Sequence, residues 1–188
     1  MSAPINVSLD ACADACADAN SGSCEKGSLL LLCGKMGAGK STLARTLAKG
    51  ERCVLISEDE WLATLYPNEI KDFDTYIHYA ARLKPLLKRH IEALLLAGLT
   101  VVMDFPANTL NQRRWLLGLS LDTGAAHRLI YLKHSDELCL SRLALRRQAE
   151  PERAQFDTEA VYWHVSRFFQ APTEDEGLNI EILESSDC

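Results

Sequence analysis

The chain has 188 residues, of which 47% are apolar and 24% charged, and this suits a single globular domain with a substantial buried core. The net charge of -6 excludes a general nucleic-acid binder, which needs a basic face, although a local basic groove remains compatible with it. We find no apolar run of membrane-spanning length, no export signal and no C-x-x-C pair among the seven cysteines. These features predict a protein of the reducing cytoplasm without a membrane span.

Residues 1–27 differ from the rest of the chain because they are rich in Ala, Asp, Ser and Cys. We interpret them as a flexible or loosely docked extension of a folded domain over residues 28–188. If this segment were helical, Cys12 and Cys16 would share one face, so metal or redox chemistry is the alternative. No His or C-x-x-C completes a ligand set there.

The most specific pattern lies in residues 29–42, where an apolar run leads into Gly34, four residues, Gly39, Lys40 and Ser41. This spacing is that of a phosphate-binding P-loop, in which bare backbone N–H groups and a helix N-terminus surround the phosphates. Lys40 is predicted to reach the β- and γ-phosphates, and the Ser41 hydroxyl to bind Mg²⁺. The predicted nucleotide-binding residues are Gly34, Lys35, Met36, Gly37, Ala38, Gly39, Lys40, Ser41 and Thr42.

A helix over about 41–49 and a buried strand over 54–57 follow, and the strand ends in Glu58, Asp59 and Glu60. Ligands of parallel α/β sheets collect at the carboxyl ends of strands, so Asp59 is predicted to be a general base for an acceptor hydroxyl. The alternative is helix N-capping, and we expect one of the three acids to serve as a cap.

Residues 72–98 show helical spacing of apolar residues, with Pro85 expected to kink the helix or split it in two. The predicted buried face consists of Ile77, Ala80, Leu83, Leu87, Ile91, Leu94 and Leu95. A buried strand over 100–104 then ends in Asp104, which we predict to be a second Mg²⁺-linked group rather than a turn residue.

After a helix over about 110–121 and a strand over 127–132, residues 136–148 form a predicted helix carrying Arg142 and Arg146. The polar segment 149–156 is expected to be a mobile flap, which gives a lid near 142–156. Arginines beside a flap suit clamping of a transferred phosphoryl group, and solvent-facing arginines are the alternative. A helix capped by Asp157 or Thr158 extends to about 170, and a fifth strand occupies 179–183.

Strands near 29, 54, 100, 128 and 179 separated by helices predict a three-layer α/β sandwich with a five-stranded parallel sheet. The P-loop, the acids at two strand ends, the arginine pair after Asp104 and the arginine-bearing helix before a flap together resemble the P-loop kinases of the polynucleotide-kinase and zeta-toxin group. More closely, the chain resembles bacterial proteins described as AAA-family ATP-binding proteins or predicted kinases. The resemblance extends from about 28 to 183, and only the P-loop is highly specific.

This resemblance implies a sheet order of 2-3-1-4-5 and transfer of the γ-phosphoryl group of ATP, with Mg²⁺, to a hydroxyl. It implies phosphate and Mg²⁺ roles for Lys40 and Ser41, a base role for Asp59, an acidic strand-end role for Asp104 and lid roles for Arg142 and Arg146. The polynucleotide kinases have an arginine three residues after the base, where this chain has Leu62. A nucleic-acid acceptor is therefore disfavoured, though not excluded, relative to a small hydroxylated molecule or a nucleotide-like one.

The leading interpretation is an ATP-dependent kinase that acts as a monomer or homodimer. The alternative is a regulatory module that binds or hydrolyses ATP and switches a protein partner. A ring-forming ATPase usually needs a further helical domain, for which 188 residues leave no room. A non-catalytic nucleotide binder is the third interpretation, which the presence of Lys40, Ser41, Asp59 and Asp104 disfavours.

Overall fold

The computed structural model describes residues 26–151, residue 154 and residues 156–184. Its sheet has five parallel strands in the order β2-β3-β1-β4-β5, which confirms the predicted fold class and strand order. The strands are β1 (Ser28–Cys33), β2 (Cys53–Ser57), β3 (Thr100–Asp104), β4 (Ala126–Lys133) and β5 (Ile180–Glu184). The predicted N-terminal extension lies almost wholly outside the described residues, and so do residues 152, 153 and 155 of the predicted flap.

Six α-helices connect the strands within the described part of the chain. They are α1 (Lys40–Leu47), α2 (Glu58–Leu65), α3 (Phe73–Leu96), α4 (Leu110–Thr123), α5 (Asp136–Ala149) and α6 (Glu159–Ser166), and a short 3₁₀ helix occupies Glu174–Glu176. Among these described helices, none combines the length and the apolar character that crossing a membrane requires. The helix predicted to reach 170 ends at Ser166.

The sheet is buried on both faces, which explains why β1 is apolar after its first residue, Ser28. Because successive side chains of a strand point to opposite faces, Leu29 and Leu31 pack in the cluster that includes residues of α3 and α4. Leu30 and Leu32 pack on the other face, in the cluster that includes residues of α1, α5 and α6. This is the three-layer arrangement that the βα pattern predicts.

The helix α3 corrects part of two predictions. Pro85 does not split it, because the helix is continuous through this exposed residue and the carbonyl left without its usual N–H partner can bond to water. The alternative, a kink at Pro85, stays a prediction. The predicted buried face holds for Ala80, Leu83, Leu87, Ile91 and Leu95, which are at most 7% exposed. The prediction is wrong for Ile77, which lies near the start of the helix and is 52% exposed.

A buried ion pair fixes the start of α4 beneath the carboxyl edge of the sheet. The guanidinium of Arg113, 1% exposed, donates to both carboxylate oxygens of Glu176 at 2.6 and 2.7 Å. It also donates to the carbonyls of Ala107 and Gln170 at 3.1 and 2.7 Å. Arg113 is therefore fully satisfied by structural partners, and the loop after β3 is tied to the segment before β5.

Candidate active site

The loop between β1 and α1 has the backbone that the P-loop motif predicts. Gly34, Gly37 and Gly39 have φ of 151°, 77° and 97°. A Cβ on Gly34 would lie 2.9 Å from the carbonyl oxygen of Leu132, and one on Gly37 would lie 2.5 Å from that of Cys139. Side chains are therefore excluded at both positions by their neighbours as well as by backbone strain.

The helix α1 begins directly at this loop, with Gly39 as its N-cap and no side chain bonding to its first turn. Its first N–H groups are therefore not taken by a capping side chain, and the positive end of the helix dipole faces the loop. This arrangement fits the phosphates of a nucleotide.

The side chain of Lys40 folds back onto the P-loop. Its ammonium group donates to the carbonyls of Gly34 and Lys35 at 2.6 and 2.9 Å. Burial lowers the pKa of Lys40 below its usual range, while Asp104 and Asp59 act in the opposite direction. A polyphosphate in the loop would supply further negative charge for this ammonium group, which is the role predicted for Lys40.

The two predicted Mg²⁺ ligands are in contact with each other. The hydroxyl of Ser41 donates to Oδ1 of Asp104 at 3.1 Å, and that of Ser57 approaches Oδ2 at 3.4 Å. Burial raises the pKa of Asp104, and the Ser41 hydrogen bond opposes this shift. The described residues contain no group of three or more His, Cys, Asp or Glu suited to a metal. A hydroxyl and one carboxylate fit Mg²⁺, which usually keeps phosphate and water ligands.

Asp59 lies in the first turn of α2 and is exposed. Ser57, two residues before Asp59, lies opposite Asp104 in the register of β2 and β3, so Asp59 follows a strand end beside that of Asp104. The negative charge of Asp59 raises the pKa values of both Lys40 and Asp104. The N-cap of α2 is Ser57, so the prediction that one of the three acids is the capping residue is wrong. The acids occupy the first turn instead, where they complement the helix dipole.

Two residues beside Asp59 were not predicted. Glu58 is only 2% exposed, and the hydroxyl of Tyr76 on α3 lies 2.6 Å from its Oε2. The same hydroxyl lies 3.2 Å from Oδ1 of Asp59. Glu58 is adjacent to a predicted site residue, but nothing in the local sequence marks Tyr76, which comes 18 residues later.

The two predicted lid arginines have different partners. Arg142 donates to the carbonyl of Ala38 in the P-loop at 3.0 Å, so its guanidinium already lies beside the phosphate-binding backbone. Arg146 makes two hydrogen bonds, at 2.6 and 2.5 Å, to the buried carboxylate of Asp157. The structure therefore brings Arg142 to the loop and holds Arg146 one turn away along α5.

Comparison with protein families matches residues 29–171 to the AAA_33 family, described as an AAA domain. The chain belongs to this family. No curated protein matches the chain significantly.

Solved structures share the fold of this AAA domain at low identity. A candidate kinase from Chloroflexus aurantiacus is 20% identical, with a TM-score of 0.66 over 86% of this chain and 87% of that one. The Mycobacterium tuberculosis APS kinase CysC, in complex with AMPPNP and APS, is 16% identical, with a TM-score of 0.58 over 87% and 91%. A sugar kinase from Janibacter sp. HTCC2649 is 17% identical, with a TM-score of 0.56 over 85% of each chain. The chain therefore has a P-loop kinase fold.

Further contacts in this AAA domain hold the P-loop in place. The ammonium of Lys35 and the hydroxyl of Tyr162 each donate to Oδ1 of Asp136 at 2.5 Å. These two hydrogen bonds lower the pKa of Asp136. On the other side, the side-chain oxygen of Asn108 accepts from the N–H of Gly34 at 3.1 Å. None of these long-range contacts has a signal in the local sequence, although Lys35 itself belongs to the motif.

The position of Leu62 bears on the acceptor. Leu62 is 1% exposed and packs in the core cluster shared with α3. The α2 position that carries an arginine in the polynucleotide kinases therefore faces the core of this AAA domain and offers no cation to a nucleic acid.

Proposed function

We propose that this protein is a kinase that transfers the γ-phosphoryl group of ATP to a hydroxyl of a small-molecule or nucleotide-like acceptor. The observation that carries the proposal is the exposed carboxylate of Asp59, two residues after Ser57, which lies opposite Asp104 of the Ser41–Asp104 pair in the register of β2 and β3. The complex of the APS kinase with AMPPNP and APS supports a nucleotide in this fold.

In the proposed reaction, Asp59 accepts the proton of the acceptor hydroxyl as its oxygen attacks the γ-phosphorus. The bond between the γ-phosphorus and the β–γ bridging oxygen breaks, and ADP leaves. Lys40 and the N-terminus of α1 hold the phosphates in line and oppose the charge of the transition state. Ser41 and Asp104 would hold Mg²⁺, which supplies further neutralisation of the phosphate oxygens.

Arg142 fits the lid role in the conformation described, because it already contacts the P-loop backbone. Arg146 could reach the phosphates only after leaving Asp157, whose buried carboxylate would then lose these two hydrogen bonds. We therefore assign charge stabilisation of the transferred group to Arg142 first, and to Arg146 only in a closed state.

The buried Leu62 and the net charge of -6 favour a small acceptor over a nucleic acid. The test is ATP consumption with Mg²⁺, alone and against separate pools of sugars, nucleosides, aminoglycosides and 5′-hydroxyl oligonucleotides. We expect one small-molecule pool to stimulate consumption, with the stimulation lost in Asp59→Asn. Slow hydrolysis that no pool changes and that Asp59→Asn retains would overturn the proposal in favour of a regulatory ATPase acting on a protein partner.

A further inference from the structure

The hydroxyl of Tyr76 lies between two carboxyl groups. It is 2.6 Å from Oε2 of Glu58 and 3.2 Å from Oδ1 of Asp59, both within hydrogen-bonding distance. Burial raises the pKa of Tyr76, so the phenol keeps its proton. A phenol has a single proton to donate. If both carboxyl groups were ionised and the phenol donated its proton to one of them, a lone pair of the phenol oxygen would face the negative charge of the other.

The phenol proton would have to be shared between two ionised carboxylates, whereas each contact has a proton of its own if one carboxyl group is protonated and donates to the phenol oxygen. The two groups differ in surroundings, because Glu58 is 2% exposed and Asp59 is exposed. Burial raises the pKa of Glu58, and the negative charges of Asp59 and Asp104 add to this effect. Lys84, the cation facing Glu58 from α3, and the Tyr76 hydrogen bond act in the opposite direction.

We propose that Glu58 and Tyr76 are positioning residues for Asp59: protonated Glu58 donates to the Tyr76 oxygen, and the Tyr76 hydroxyl donates to Oδ1 of Asp59. This inference rests on the proposed role of Asp59 as general base. Because the Tyr76 hydroxyl engages Oδ1 of Asp59, Oδ2 remains available to accept the proton of the acceptor hydroxyl. Protonation of Glu58 also leaves one negative charge fewer beside the phosphate site, where Asp59 and Asp104 already lie close together.

The first test follows the side-chain carboxyl carbons of Glu58 and Asp59 by ¹³C NMR during a pH titration, and it needs no acceptor. We expect the Glu58 carbon to show a protonated carboxyl group at neutral pH. In Tyr76→Phe, the Asp59 carbon should change its chemical shift at neutral pH, because its carboxylate loses a hydrogen bond. Glu58→Ala should change the Asp59 chemical shift in the same direction, and Glu58→Gln should restore it, since the amide can donate to Tyr76.

Tyr79→Phe is the matched control. Tyr79 lies three residues after Tyr76 on α3, and its hydroxyl also bonds to a glutamate, Glu69. This variant should leave the Asp59 chemical shift where it is in the wild type. An ionised Glu58 at neutral pH, or an Asp59 chemical shift that Tyr76→Phe leaves in place, would overturn the inference. Dispersed amide spectra of each variant exclude unfolding as the cause of a shift.

The second test uses the acceptor once it is known. Tyr76→Phe should lower kcat about tenfold, with KM for ATP unchanged. Transfer that depends on Asp59 but has the same kcat in Tyr76→Phe would overturn the positioning role and leave the kinase proposal standing. If no acceptor is found, the kinase proposal fails, while the NMR titration still decides the hydrogen-bond chain.

Discussion

The proposed site has a donor half, the P-loop with Lys40, and an acceptor half around Asp59. The two halves are built in different ways. On the donor side, the phosphates would contact backbone N–H groups of a short contiguous loop, which is fixed by Asn108 from β3's loop and by Asp136 from α5. On the acceptor side, the carboxylate of Asp59 projects from the exposed side of α2 and contacts a tyrosine on another helix. The donor half is thus set by local backbone conformation, and the acceptor half by how two helices pack.

Lys40→Ala should have the largest effect, because it removes the ammonium group that bonds to the P-loop carbonyls of Gly34 and Lys35. We expect kcat for phosphoryl transfer to fall about 10³-fold or more, as when a charge that stabilises the transferred phosphoryl group is removed. Single-turnover transfer of labelled phosphate measures this. Lys49→Ala, an exposed lysine just past the same helix, is the control, and equal losses in the two variants would contradict the assignment.

Asp59→Asn should break the acceptor half alone. Loss of the general base is expected to reduce transfer about 10²- to 10³-fold while the dissociation constant for ATP stays the same. Transfer rates and nucleotide binding by calorimetry measure the two halves separately. Glu60→Gln, an exposed neighbour that pairs with Arg45, should retain transfer. A weaker ATP affinity with normal transfer in Asp59→Asn would show that the two halves are not separable in this way.

The two lid arginines sharpen the comparison, since only Arg142 contacts the donor half. Arg142→Ala is expected to lower kcat about tenfold to a hundredfold with little change in thermal stability. Arg146→Ala should instead lower Tm, because it leaves the buried carboxylate of Asp157 without this partner. Kinetics and thermal unfolding of both variants provide the check, and the reverse pattern would exchange the two roles.

Asp136→Asn should have the smallest effect. The Lys35 and Tyr162 hydrogen bonds lower the folded-state pKa of Asp136, so its contribution to stability is present above the unfolded pKa of about 3.9 and is lost as pH falls through the folded pKa. The amide still accepts from Tyr162 and loses only the charge. Because the Lys35 and Asp136 side chains are 28% and 31% exposed, we expect a loss below about 1 kcal/mol at neutral pH. Urea unfolding at pH 7 and at pH 3 tests this, since the difference should shrink as the pH falls below the unfolded pKa towards the folded one.

The same contrast explains what the sequence could predict. The P-loop residues are contiguous, so their spacing alone predicts the donor half, and the βα alternation predicts parallel strands whose ends bring Ser41 and Asp104 together. The strand order came from the family resemblance. Glu58 and Tyr76 could not be predicted, because their contact depends on the packing of α2 against α3.

The errors have the same origin. Helical spacing places Ile77 on the buried face of α3, but in the structure Ile77 is exposed and Tyr76 beside it packs against the core cluster. The sequence also treats Arg142 and Arg146 alike, since both project from one side of α5. Only the position of Asp157, eleven residues after Arg146, separates a phosphate-side arginine from a structural one.

The unbroken course of α3 has a mechanical consequence. Its 24 residues correspond to a rod of about 36 Å at 1.5 Å per residue. Tyr76 lies near one end, and at the other end the carbonyl of Leu95 accepts from the N–H of Gly27, just before the central strand begins. If the helix tilted as a unit, both ends would move together. The orientation of the Asp59 carboxylate, which contacts Tyr76, is therefore coupled to the start of β1, the strand that leads into the P-loop.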